Sequence, residues 1–343
     1  MRPLTLAALV FLALSALADP FGPPTQLSET SAPRVEVAST SAGPLVVWLD
    51  DSGVLRANGR TVASAAVRVA TASVGDTALV VWTQADGSVW ARRLSPDGSS
   101  SGVVRKIGSS AAGPVAVAAA DGRYFVAWPG LLGQIYAAIV SPLGGPIVPA
   151  MPVTAQSGST IGEIAAAASA DGFAVVWHDL EARDVFATTL DTNGVPVSMT
   201  PLLVSDDGGF PDVASDGTTF LIVWGLGTIH ARTLTVDGDL GRTRTVTLGV
   251  APRIAWDGLA YSMAYVHQVY PRPGFSFQQL TAMRLTSYGT YVERLSPANT
   301  LMPRIYDVDA RSGRFDLGHS VNSVWVQSAM VGEPRTRVRA MRH

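Results

Sequence analysis

A motif of two strands recurs along this 343-residue chain and restricts its fold more than any other feature. The first strand is apolar and ends in an aromatic residue: Trp48, Trp82, Trp128, Trp177, Trp224, Tyr265 and Trp325. The second strand carries Val, Ile or Leu two positions before an alanine: Ala57, Ala91, Ala137, Ala187, Ala231, Ala282 and Ala340. Repetition at a period in the forties indicates similar units that pack side by side.

Each repeat contains four strand-like segments separated by turn signals. Asp-Gly pairs such as Asp121-Gly122 and Asp216-Gly217 suit the positive φ values of tight hairpin turns. Four antiparallel strands per repeat match one blade of a β-propeller. The sequence therefore predicts an all-β fold, a seven-bladed β-propeller of four-stranded antiparallel blades, with residues 19–343 as a single domain.

The two ends of the chain suggest how the ring closes. His343 follows shortly after the seventh alanine strand, Val338 to Met341, so blade seven would lack its fourth strand. Residues 21–28 resemble the fourth strand of other repeats, and we expect them to complete blade seven. A closed ring hides sheet edges that would otherwise pair with other chains.

Residues 1–18 have the pattern of a secretory signal peptide. Arg2 precedes an apolar stretch from Leu4 to Leu14, and small residues lead to a cleavage site after Ala18. The stretch is too short to span a bilayer. The chain has no cysteine, which excludes a disulfide framework and a lipid-bearing thiol. We expect a secreted or periplasmic monomer without membrane insertion.

Composition excludes several classes of function. The net charge is -2 and no Lys/Arg-rich run occurs, so nucleic acid is not expected as a partner. The nucleophile elbow, zinc-protease helix, phosphate loop and dinucleotide fingerprint are all absent. This pattern favours binding over catalysis.

Propeller geometry sorts the connections into two faces. Turns inside the first hairpin and after the alanine strand share one face, here called the turn face, and they are short. Loops after the aromatic strand and between repeats share the opposite face, here called the loop face, and they vary most. Because binding residues concentrate on variable loops of rigid scaffolds, we expect the site on the loop face.

The loop after Trp177 holds the densest charge cluster, formed by His178, Asp179, Glu181 and Arg183. Imidazole and carboxylate groups are suitable metal ligands and proton carriers. The alternative is a solvated loop with local ion pairs, since neighbouring residues of one loop seldom complete a metal site.

A longer segment follows Tyr265 and spans residues 266–276. It offers His267, Tyr270, Arg272 and Phe275, and Tyr, Phe and Arg are side chains that interfaces prefer. The alternative is an insertion that packs on its own blade.

A third candidate is the acidic pair Asp206 and Asp207, with Asp50 and Asp51 as a companion pair. Paired carboxylates suit calcium, which takes six to eight oxygens. The EF-hand pattern is absent and Asp-Gly pairs are common in turns, so we predict no cofactor and keep calcium as the alternative.

The repeats resemble those of bacterial secreted propellers in which a strand ending in Val-Trp precedes an Ile-x-Ala-x-x-Leu strand, a group close to the TolB-like and WD40-like propellers. The resemblance covers residues 21–343. The Gly-His and Trp-Asp pairs of WD40 repeats and the Ser-x-Asp-x-Gly-x-Thr-Trp box of sialidases are absent. The resemblance implies a binding scaffold without a transferable active site.

Three functions remain open from the sequence. The first is a non-enzymatic scaffold that binds a protein or a polysaccharide through the loop face. The second is an extracellular glycan hydrolase or lyase that uses carboxylates at the channel mouth, among them Asp179, Glu181 and Asp184. The third is a structural envelope component.

Overall fold

The computed structural model describes residues 23–29, 32–272, 275–295, 305–311, 313–320 and 324–331. The regular structure of these residues consists of 26 β-strands in six antiparallel sheets. Strands from all six sheets line one central channel. The all-β propeller expected from the repeats is therefore confirmed.

The sheets follow one another along the chain. The chain enters with β1 (Thr25–Ser28), and the first complete sheet contains β2 (Arg34–Thr40), β3 (Gly43–Leu49), β4 (Leu55–Ala57) and β5 (Arg60–Ala63). The second contains β6 (Ala66–Val74), β7 (Thr77–Gln84), β8 (Val89–Leu94) and β9 (Arg105–Gly108). The third contains β10 (Ala116–Ala120), β11 (Arg123–Pro129), β12 (Ile135–Val140) and β13 (Pro146–Pro152). The fourth contains β14 (Ile161–Ala168), β15 (Gly172–Asp179), β16 (Val185–Asp191) and β17 (Leu202–Ser205).

The fifth sheet has six strands instead of four. It contains β18 (Asp212–Ser215), β19 (Phe220–Leu234), β20 (Arg244–Trp256), β21 (Tyr261–Arg272), β22 (Phe275–Leu285) and β23 (Tyr291–Leu295). The first half of β20 pairs with β19, and its second half pairs with β21 beyond a register break between Val250 and Arg253. The prediction of seven four-stranded blades is therefore wrong. The propeller has six blades, because continuous strand β20 joins the fifth and sixth repeats in one sheet.

The last sheet combines both ends of the described chain. Its strands are β24 (Ile305–Arg311), β25 (Arg314–Ser320), β26 (Val324–Met330) and the N-terminal β1. Gln26 of β1 is the backbone partner of Trp325 of β26. The predicted alanine strand around Ala340 lies outside the described residues.

The register of the last sheet corrects the alignment of the seventh repeat. Trp325 lies on the third strand of this sheet, where other sheets carry Trp90 or Tyr136, and not at the end of the second strand. The second-strand position belongs to His319, which faces Trp325 across the pair. The alignment failed because a histidine replaces the aromatic residue that marks this strand.

The core lies between neighbouring sheets, where the repeated residues pack. Trp48, Trp82, Trp128, Trp177 and Trp224 are each at most 3% exposed. Glycine turns approach two of the repeated alanines closely. Gly98, at φ +79°, lies so near the preceding sheet that an added Cβ would stand 2.3 Å from the carbonyl oxygen of Ala57. In the six-stranded sheet, an added Cβ at Gly289 would stand 2.7 Å from the Cβ of Ala231.

The described part of the chain contains no helix with the length and apolar character needed to cross a bilayer.

Candidate functional site

The charge cluster after Trp177 forms a capped turn. His178 and Asp179 end β15 and are buried. Asp179 Oδ1 accepts the backbone N–H groups of Glu181 and Ala182, each at 3.0 Å. Glu181 in turn accepts the hydroxyl of Thr160 at 3.1 Å. The carboxylates of Asp179 and Glu181 thus accept hydrogen bonds from local backbone and side-chain donors.

Arg183 and Asp207 meet on the loop face. Their side chains form an ion pair at 3.5 Å and are 67% and 81% exposed, so the pair adds little stability. Asp206 is exposed beside Asp207. Among the residues that the structure describes, no three His, Asp or Glu side chains are grouped so as to hold a metal.

The segment expected to be a loop after Tyr265 is a β-hairpin. Strands β21 and β22 stay paired as far as Arg272 and Phe275, whose backbones are partners near the hairpin end, with Tyr270 on the first strand. The expectation of a loop was wrong because the two flanking strands continue their ladder through it. The ring of His267 lines a side pocket of about 210 Å³ together with Tyr265 and Arg294.

A larger cavity of about 440 Å³ occupies the central channel. Its wall is made by β2, β6, β10, β14, β18, the end of β20, and β24. Each of these inner strands runs antiparallel to the aromatic strand beside it, so Val35 pairs with Trp48 and Ile164 with Trp177. The inner strands therefore begin at the loop face, where the aromatic strands end.

Charged side chains gather at this end of the channel. We call the group the charged mouth; it consists of Arg34, Glu36, Arg68, Glu163, Asp212, Arg253 and Asp307, all half-buried. Five of the six sheets contribute at least one member. None of these residues was among the candidates from the sequence.

Glu163 lies between two arginines that come from different sheets. Its Oε2 is 3.9 Å from Nη1 of Arg34 and 3.8 Å from Nη2 of Arg253. A direct charge-assisted hydrogen bond is shorter, about 2.7–2.9 Å. Nε of Arg68 is buried and has no hydrogen-bond partner among the described residues. The mouth therefore holds guanidinium groups whose donors are incompletely used.

Asp212 and Asp307 bridge neighbouring inner strands. Asp212 Oδ2 accepts the N–H of Ile254 at 2.7 Å, and Asp307 Oδ2 accepts the N–H of Val37 at 2.8 Å. Both bonds satisfy donors on strand edges that face the channel. These two carboxylates thus connect adjacent inner strands as well as carrying charge.

Burial shifts the protonation of the mouth carboxylates. It raises the pKa of Asp212 to about 6, against the opposing effect of Arg253, and that of Asp307 to about 7, against a hydrogen bond from Val37. The pKa of Glu36 is raised well above its ordinary value by burial and by the charge of Asp307. These shifts leave part of the acidic complement neutral near pH 7.

The arginines respond to the same surroundings. Burial lowers the pKa of Arg68, and Arg34 adds to this effect. Burial also disfavours charge on Arg253, but the carboxylates of Asp212 and Glu163 outweigh it and raise the pKa of Arg253. The guanidinium groups of Arg68 and Arg253 remain charged at neutral pH.

One signal in the sequence marks part of this site. At the strand position of Glu36, Asp212, Arg253 and Asp307, other repeats carry Ala70, Ala116 and Ala165. A charged residue at a strand position that is alanine in other repeats is a departure from the repeat. The candidates expected from the sequence lie in segments expected to be loops instead.

No protein-family model matches the chain, and no curated protein matches it. Among solved structures, the Dos1 propeller aligns with a TM-score of 0.53 and 9% identity, covering 92% of this chain and 98% of that one. Raptor from Chaetomium thermophilum aligns with a TM-score of 0.56 and 13% identity, covering 90% of this chain and 30% of that one. A mutant Aleuria aurantia lectin in complex with Fucα1-6GlcNAc aligns with a TM-score of 0.47 and 14% identity, covering 80% and 100% of the two chains. At these identities the likeness concerns the fold.

Proposed function

We propose that this protein is a non-enzymatic binding scaffold that holds a protein or polysaccharide partner on its loop face, over the charged mouth. The observation that carries this proposal is the incomplete use of the arginine donors. Arg34 and Arg253 share one carboxylate oxygen at 3.8–3.9 Å, and Nε of Arg68 has no partner among the described residues. A rigid ring that presents such donors at a cavity is suited to binding.

The geometry favours binding over glycan hydrolysis or lysis. The carboxylates expected to act at the mouth do not meet there: Asp179 caps its own turn and Asp207 pairs with Arg183 on the surface. Of the carboxylates that do reach the channel, Asp212 and Asp307 accept backbone N–H groups of neighbouring strands. Such bonds restrain the carboxylates in structural roles.

We further propose that the protein acts outside the cytoplasm, as the pattern of residues 1–18 suggests. Expression in a bacterial host with N-terminal sequencing of the exported product tests this. The mature chain should begin at Asp19. Recovery of only the full-length chain from the cytoplasm would contradict export.

Site-specific photo-crosslinking tests the location of the binding surface. A benzophenone amino acid in place of Leu180 lies on the loop face, and the matched control in place of Leu143 lies in a turn of the opposite face; both positions are exposed. Crosslinks to a defined partner should form from position 180 and not from 143. The reverse pattern would contradict the proposal, as would release of reducing ends from a panel of glycans by the purified protein.

A further inference from the structure

Exposed leucines lie on the same face of the propeller as the charged mouth. Leu131 and Leu132 follow β11, Leu180 follows β15, and Leu226 lies within β19 just after Trp224. Their exposed fractions run from 47% to 79%. All four come at or just after the end of an aromatic strand, so they lie on the loop face. We call them the leucine rim.

Contacts place one member of the rim next to the charged mouth. Leu180 covers Gly162, the neighbour of Glu163, so closely that an added Cβ on that glycine would stand 2.5 Å from Leu180 Cδ2. Leu226 lies near His178, since an added Cβ on Gly209 would stand 2.9 Å from Leu226 Cδ1 and 3.2 Å from the ring of His178. Leu180 therefore links the rim to the residue beside Glu163.

This combination matches the composition of protein interfaces. Interface centres are apolar and enriched in arginine, and an exposed apolar patch rimmed by polar residues marks an interaction site. Among the described residues, the strongly exposed aromatic side chains are Tyr288 and Tyr291, which lie in and after the turn that ends β22. Tyr288 belongs to a turn of the turn face and Tyr291 follows it, so neither of these two aromatic side chains adjoins the rim.

The incompletely used arginine donors at the mouth suit a carboxylate. A guanidinium group presents paired donors whose spacing matches the two oxygens of a carboxylate. The protein supplies one carboxylate itself, that of Glu163. Its Oε2 lies 3.8–3.9 Å from the nearest guanidinium nitrogens of Arg34 and Arg253, beyond direct hydrogen bonding. A carboxylate that enters from solvent is not tied to the backbone of β14 and can approach these donors at hydrogen-bond distance.

We infer that the charged mouth binds an acidic side chain of a protein partner, whose carboxylate lies among Arg34, Arg68 and Arg253 while flanking apolar residues pack on the leucine rim. Glu163 competes with this carboxylate for the arginines and moves aside when it binds. The inference rests on the proposed scaffold function and names the chemistry of the partner.

Titration with a blocked five-residue peptide that has a central glutamate between leucines tests the inference. The control peptide carries glutamine in place of glutamate. We expect the glutamate peptide to bind about tenfold more tightly, a difference of about 1.4 kcal/mol, because hydrogen bonds to charged groups are stronger than those between neutral groups. Equal affinity for the two peptides would overturn the inference.

Three variants assign the effect to the mouth. Arg34→Gln and Arg68→Gln should each weaken the glutamate peptide about tenfold and leave the glutamine peptide unchanged. Glu163→Gln should tighten the glutamate peptide, because it removes the competing carboxylate. Arg60→Gln, on an exposed arginine paired with Asp97, is the matched control and should change nothing. Thermal unfolding of each variant establishes that it is folded.

A purely structural arginine cluster gives a different outcome. In that case Glu163→Gln lowers stability without tightening the peptide, which would overturn the inference. If oligogalacturonate bound with the same dependence on the arginines and the peptide did not bind, the inference of a protein partner would be overturned. If a partner crosslinked at position 180 bound the Arg34→Gln variant as tightly as the wild type, the inferred carboxylate site would be overturned. The proposed scaffold function would stand.

Discussion

At the scale of single residues, the repeat marks positions that pack and not positions that bind. The five tryptophans that end second strands are buried between sheets, as expected from their periodicity: Trp48, Trp82, Trp128, Trp177 and Trp224. At Ala231 the small side chain fits the close approach of a glycine turn, since an added Cβ on Gly289 would stand 2.7 Å from its Cβ. The sequence pattern predicts a close approach of this kind without saying which atoms meet.

The packing of Gly98 on Ala57 predicts a large effect of one added methyl group. Gly98→Ala should lower the free energy of unfolding by about 2 kcal/mol more than Gly59→Ala, because overpacking costs about 1–3 kcal/mol. Both glycines have similar positive φ values, +79° and +86°, but Gly59 has no neighbour within 4 Å of an added Cβ. Urea unfolding measures the difference. Equal destabilisation would show that only the backbone conformation matters.

Because His319 is buried, we expect its contribution to the free energy of unfolding to depend on pH. Neither ring nitrogen has a partner among the described residues, and burial lowers its pKa to about 4. Because the unfolded chain has a His pKa near 6.5, it binds more protons between about pH 4 and 6.5. The contribution of His319 to stability should therefore fall as the pH drops through this range, opposite in sign to the contributions of Asp212 and Asp307, whose pKa values are raised.

Replacing His319 with Phe should remove that loss and stabilise the protein by about 1 kcal/mol at pH 7, since buried polar atoms without partners disappear. The advantage should grow at pH 4.5. His230→Phe is the matched control, since His230 is half-buried and stacks on Trp224 at 5.7 Å. The midpoints of urea unfolding of the wild type and both variants, measured at pH 7 and pH 4.5, test this expectation. A constant difference between wild type and His319→Phe would contradict the account.

At the scale of the strands, a polar network joins the first and last sheets. Asp316 accepts the hydroxyls of Ser39 at 2.6 Å and Ser328 at 2.5 Å, and it pairs with Arg314 at 2.9 Å. Asp309 of the last sheet also accepts the N–H of Ser39 at 2.7 Å. These bonds hold β2 against β24 and β25 where the ring closes.

Asp316→Ala should lower the free energy of unfolding by about 3 kcal/mol, because it leaves buried donors and a guanidinium group unpaired. Hydrogen exchange should quicken in β2, β24 and β25 before it does so elsewhere. Asp50→Ala, which removes a carboxylate that caps an exposed turn, should have a small effect. Uniform acceleration across all sheets would contradict a local closing role.

The strands also show what repetition predicts and what it does not. Hairpins and inner strands follow from turn signals and aromatic ends, so the propeller was predictable. The joining of repeats five and six was not, since it depends on backbone pairing such as Gly227 with Gly249, which side-chain patterns do not encode. The last repeat was misaligned because His319 takes the position of an aromatic residue and Trp325 lies one strand later.

At the scale of the whole molecule, the candidate site is made by convergence. Arg34, Glu163 and Arg253 are distant in the chain and meet only because inner strands of different sheets surround one channel. Each looks like an isolated charge in the sequence. Asp179 and Asp207 were candidates because charged residues cluster near them in the sequence. In the structure, Asp179 caps its own turn and Asp207 forms a surface ion pair with Arg183.

The mouth as a whole should bind a carboxylate more tightly at lower pH. The titratable and charged groups that face it are Arg34, Glu36, Arg68, Glu163, His178, Asp212, Arg253, Tyr306 and Asp307. Burial raises the pKa of Asp307 to about 7 and that of Asp212 to about 6, so acidification removes negative charge beside the arginines. Affinity for the glutamate peptide should rise from pH 8 to pH 5.5, while the peptide stays ionised. Affinity that is flat or falling over this range would contradict the assignment.

We propose that recognition takes place on the loop face at the charged mouth. Backbone amide hydrogen exchange, measured with and without the crosslinked partner, tests this location. We expect slower exchange in residues 130–133, 179–184 and 225–228 of the loop face, and unchanged exchange in the turns at 96–99, 142–145 and 236–239. Protection confined to those turns, with the loop-face segments unchanged, would contradict it.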